Sequence, residues 1–181
     1  MTGFYTLELE DQVLVTLFHG WGYSFYKAEN QLRADDLMVR AKVGEMLAAA
    51  RASVCAAEAA FRRAHLPPPT RERPRPDPEA LLRAQALEAI AQSIGALEGQ
   101  IRALPVPAND RMTERLRTER ETLEKLLKAD RAMVSAAHQL RELLVPGTDD
   151  RIRQNEASVQ GLLAALSSAL VNRRDLLQAP S

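Results

Sequence analysis

The sequence predicts an all-α fold: an antiparallel bundle of four long helices preceded by a short aromatic-rich N-terminal segment. Three observations carry that expectation. The hydrophobic residues are mainly Ala and Leu, with few β-branched side chains, a composition that favours helix. Apolar residues recur in alternating steps of three and four along most of the chain, which is the spacing of one helical face. Beyond Tyr26 no segment alternates with period two. A chain of 181 residues is also long enough to bury a core of its own.

The first long helix is expected over residues 27–65. Leu32, Val39, Val43, Met46 and Ala50 share a stripe, and the run AAARASVCAAEAA follows. Alanine combines high helix propensity with little bulk, so a partner helix can approach closely. At 1.5 Å per residue this helix is about 58 Å long. The segment LPPPTRERPRPDP then places six prolines between Pro67 and Pro78. Proline lacks an N–H and restricts the residue before it, so no helix crosses, and an extended solvated connection is expected. This divides the chain into an aromatic segment plus long helix (1–66), a Pro/Arg-rich linker (67–77) and three antiparallel helices (78–178).

The linker ends on a start signal. Asp77 suits an N-cap, Pro78 the first helical position, and Glu79 the positive end of the dipole. Leu87, Ile90, Ile94, Leu97, Ile101 and Leu104 form the next stripe, and PVPAND stops that helix, with Asn109 available to cap its successor. The following helix runs to about Val145. Met112, Leu116, Leu123, Leu126, Met133, Ala137, Leu140 and Leu144 keep its frame, interrupted by Glu119 and Asp130. Glu121–Lys125 and Glu124–Lys128 are i,i+4 pairs of a solvated face. In the last helix Thr148 caps, and Ile152, Val159, Leu163, Leu166, Leu170 and Leu177 form the stripe. Residues 6–18 fit both strand and helix spacing; helix is preferred because a lone strand has nothing to pair with. The rival architecture is a three-helix bundle from residue 78 with the N-terminal third as a projecting, dimerising arm.

Composition narrows the function classes. Net charge is zero and the pI about 6.9, against the basic surface a nucleic-acid binder needs. Of 24 basic residues, 20 are arginine, which a GC-rich coding sequence explains as well as a phosphate site does. The single Cys55 excludes an intrachain disulfide and a paired-cysteine metal site, and its alanine surroundings suggest a small buried residue. No basic region followed by an apolar run opens the chain, and no stretch has the roughly 18 apolar residues of a membrane span. A cytoplasmic location is the expectation.

No nucleophile elbow, zinc-protease, phosphate-loop or dinucleotide motif occurs. A carboxylate-bridged di-iron bundle needs two Glu-x-x-His pairs, but Arg62 precedes His65 and Ser135 precedes His138. His19, His65 and His138 lie on three separate segments, so no metal site is expected. Nor is a cofactor, and an enzyme ranks below the other readings.

One stretch stands apart. FHGWGYSFY, residues 18–26, belongs to a corner that holds seven of the eight aromatics, Phe61 being the other. Tyr26 and Phe61 are about 50 Å apart if they share one straight helix, so only a second chain could bring them together. The plainer reading of the corner is a hydrophobic cap on the bundle. The functional reading is a protein-recognition surface of Phe18, Trp21, Tyr23, Phe25 and Tyr26, since Trp and Tyr anchor interfaces. The alternative is a small-molecule or cofactor pocket at His19, Trp21 and Tyr23, with Gly20 and Gly22 allowing close approach. The expected role is therefore a non-enzymatic helical interaction protein, an adaptor, scaffold or assembly factor. Its expected partners are a protein and a second copy of the chain; no nucleic-acid partner and no integral membrane segment are expected.

Overall fold

A computed structural model describes residues 32–71, 74–104 and 120–178. Those residues form five α-helices and no strand: α1 (Leu32–His65), α2 (Pro78–Arg102), α3 (Arg120–Leu144), α4 (Asp149–Gln154) and α5 (Glu156–Gln178). The all-α expectation holds. Residues 6–18, the aromatic corner, the first turn expected from residue 27, and the PVPAND stop with its Asn109 cap lie outside the described residues.

The local signals act as expected where they are described. The Glu79 N–H donates to Asp77 Oδ1 at 3.1 Å, and Pro78 opens α2 where its missing N–H costs nothing. Thr148 Oγ1 accepts from the Arg151 N–H at 3.3 Å, and Asp149 and Asp150 occupy the positive end of α4. Residues 67–71 and 74–77 run without regular structure and are exposed. The last helix differs from expectation: it is two helices. Asn155 sits between them at φ −109°, its side chain donating to the Arg151 carbonyl at 2.8 Å. An asparagine that bonds nearby backbone competes with the helical ladder. Its own carbonyl then accepts from the Val159 N–H, starting α5.

Cross-helix contacts give the directions of packing. Arg62, Arg51 and Arg40 of α1 reach Glu88, Glu98 and the Leu104 carbonyl respectively, so α1 and α2 are antiparallel. Asp130 of α3 meets Arg173 of α5, while His138, Glu142 and Leu143 adjoin Ser158, Gly161 and Leu162, so α3 and α5 are antiparallel too. Ser53 of α1 accepts from the Gly147 N–H at 2.7 Å just beyond α3, and Arg40 lies beside Asp130; α1 and α3 therefore run parallel. Two hairpins lie side by side, joined mainly through α1 and α3.

All five helices supply one core. Every member of the α2 stripe from Leu87 to Leu104 is buried. So are Val39, Val43, Met46 and Ala50 of α1, Leu126, Met133, Ala137, Leu140 and Leu144 of α3, and Ile152, Val159, Leu163, Leu166 and Leu170 of α4 and α5. The inner face of α1 belongs to that core, which overturns the projecting-arm architecture. Each fully buried Leu or Ile contributes about 1.5–3 kcal/mol from removing its surface from water.

The alanine run of α1 departs from expectation in one respect. Cys55 is exposed. The inner face passes through Val54 and Ala57, and a helix turns about 100° per residue, which carries Cys55 onto the flank. Phe61 packs partly against the core, with its ring 4.5 Å from that of His65 in the next turn.

Two outcomes test this packing. Leu140→Ala should lower unfolding free energy by about 2–5 kcal/mol in urea titration, while Leu82→Ala, at a residue 66% exposed, should change it by less than about 0.5 kcal/mol. At Gly147 an added Cβ would lie 2.7 Å from Ser53 Oγ and 2.9 Å from the Leu144 carbonyl oxygen. Gly147→Ala should therefore cost about 1–3 kcal/mol, read as a lower melting temperature with unchanged helix content.

Candidate interaction surface

Phe18, His19, Trp21, Tyr23, Phe25 and Tyr26 all lie outside the described residues. Tyr26 precedes the first described helical residue, Leu32, by six positions, so the corner joins the chain ahead of the N-terminal end of α1. About two turns into α1 from that end, at Arg40, the described residues form a polar cluster. Arg173 of α5, only 2% exposed, donates its Nε–H to Asp130 Oδ1 at 2.8 Å. Arg40 of α1, 7% exposed, donates Nη1–H to the Leu104 carbonyl at 2.6 Å.

Burial dominates the electrostatics here. It pushes the Asp130 carboxyl up to about 7, with the Arg40 charge pulling the other way. The Arg173 hydrogen bond also favours the ionised carboxylate. Burial lowers the Arg173 guanidinium from its ordinary value; it lowers Arg40 as well, opposed by Asp130.

Other charged groups link helices in the same manner. Arg83 on α2 is largely buried. It donates to Asp149 Oδ1 at 2.5 Å and to Glu156 Oε2 at 3.2 Å, fastening the start of α2 to α4 and α5. Arg62 is held by Glu58 one turn earlier and by Glu88 of α2 at 3.1 Å, and these carboxylates raise its pKa. Glu98, 8% exposed, receives Arg102 at 2.6 Å and faces Arg51 at 3.9 Å.

These links were not read from the sequence, although a signal was present there. Asp130 is three residues before Met133, and Arg173 is three after Leu170. Arg83 is four before Leu87, Asp149 three before Ile152, and Glu156 three before Val159. Each therefore occupies a stripe position, where a charge needs an opposite partner.

Among the described residues, two open grooves lie along the helix pairs. One, of about 500 Å³, lies between α1 and α2 and is lined by Arg51, Cys55, Glu58, Arg62, Glu88 and Gln92, among others. The other, of about 550 Å³, lies between α3 and α5 beside His138, Glu142, Ser158 and Gly161. His65 is exposed at the end of α1, beyond the Ser53–Gly147 contact, while His138 lies on α3 before it, so the parallel register keeps the two histidines apart. Among the described residues no three His, Cys, Asp or Glu side chains converge in a group able to hold a metal ion. No described helix is long and apolar enough to cross a membrane.

The outer face of α1 is unlike an ordinary solvated helix face. Ala49, Ala52, Ala56 and Ala60 are exposed along it, with exposed Glu45 before them and Arg63 after. Glu45 also pairs with Lys42 at 3.2 Å.

No family model, no curated protein and no solved structure matches this chain.

The Asp130 site makes a pH prediction. A carboxyl has an ordinary value of about 3.9 in an unfolded chain, and burial raises it to about 7 in the folded one. The folded state then binds this proton more tightly. Stability from Asp130 is full below roughly pH 4 and is lost as pH rises to about 7. Asp130→Asn cannot titrate. The stability of the wild type relative to that variant should fall across this window in parallel urea titrations; a constant or rising difference contradicts the burial argument.

Proposed function

We propose that the chain is a non-enzymatic helical interaction protein, an adaptor, scaffold or assembly factor of the cytoplasm. In this reading Phe18, Trp21, Tyr23, Phe25 and Tyr26 contact a protein partner. The observation that supports it is the use of ionisable side chains. Arg83, Asp149, Glu156, Asp130, Arg173, Arg62 and Glu88 link one helix to another. Their chemistry goes into fixing a platform of packed helices. The aromatic stretch precedes α1 in the sequence and concentrates the residue types that anchor interfaces.

A homodimer belongs to the same proposal and is supported by the outer face of α1. An alanine face lets two helices approach closely. If two copies of α1 pair antiparallel, Glu45 of one faces Arg63 of the other, the two positions being about 27 Å apart along each helix. Opposite charges at the ends of a shared face favour one register.

The partner surface is tested at Trp21, the sole tryptophan. Trp21→Ala should leave the melting temperature nearly unchanged and abolish capture of the protein that co-purifies with the wild type, as loss of an interface anchor does. A loss of about 3–5 kcal/mol of stability would identify a buried cap instead. A chromophore that co-purifies and is lost with His19→Ala would favour the pocket at His19, Trp21 and Tyr23.

Light scattering tests the dimer. Mass should rise toward twice the monomer at micromolar concentration. Glu45→Arg should weaken that association, and adding Arg63→Glu in the same chain should restore it. A monomer mass at high concentration removes the dimer from the proposal and leaves the partner surface standing.

A further inference from the structure

We draw no further inference here: the strongest candidate, the groove between α1 and α2 lined by Arg51, Cys55, Glu58, Arg62, Glu88 and Gln92, holds a lone cysteine among ion-paired side chains, and nothing in the structure shows what fills it.

Discussion

The inner face of α1 lies between α2 and α3, and the assembly depends on that burial. Val43, Leu47, Ala50 and Val54 are fully enclosed there, and α1 packs extensively on α2 of its own hairpin and on α3 of the other. Without it α2 would have little to rest on, because α2 and α5 meet only sparsely. The face is built for close approach. Ala50 lies within the core, and the bare Cα of Gly95 on α2 leaves room for the Arg51 side chain, 3.2 Å from where a Cβ would stand. The inner face of α1 thus carries much of the contact between the two antiparallel pairs, through its packing on α3.

Apolar burial is not directional, so it leaves open which helix meets which. The paired charges narrow the choice. Arg83 finds two carboxylates only if the start of α2 meets the start of α5, and Arg173 finds Asp130 only in one register of α3 against α5. A buried ion pair contributes little net stability relative to apolar side chains of the same volume, whereas removing one partner costs several kcal/mol. The effect of these pairs falls on mismatched arrangements, each of which would bury a charge without its counterpart. The Ser53–Gly147 hydrogen bond adds a third fixed point, docking the turn after α3 onto the middle of α1.

The back of α1 is covered by little more than methyl groups. The same alanine run therefore has two roles according to angle. Ala50 and Ala57 let neighbouring helices close in, while Ala49, Ala52, Ala56 and Ala60 face solvent. Cys55 falls between these faces, and its exposure follows from angular position rather than from its intrinsic preference for the interior.

Apolar spacing in the sequence specifies the inner faces of the described helices. Steps of three and four between apolar residues are a local property, and the Asp77–Pro78 and Thr148 caps act within a single turn. Leu87 through Leu104 could accordingly be assigned to the core from spacing alone. The split at Asn155 was less legible, because the apolar stripe runs across it from Ile152 to Val159 while only one residue, Asn155 at φ −109°, leaves helical geometry. The tertiary structure decided the pairing. Asp130, Arg173, Arg83, Asp149 and Glu156 look like interruptions one stripe at a time, and their complementarity exists only between segments as much as 73 residues apart. It also decided which flank of α1 meets solvent, since that depends on where α2 and α3 stand. Periodicity along one chain carries no record of the neighbours that three-dimensional packing supplies.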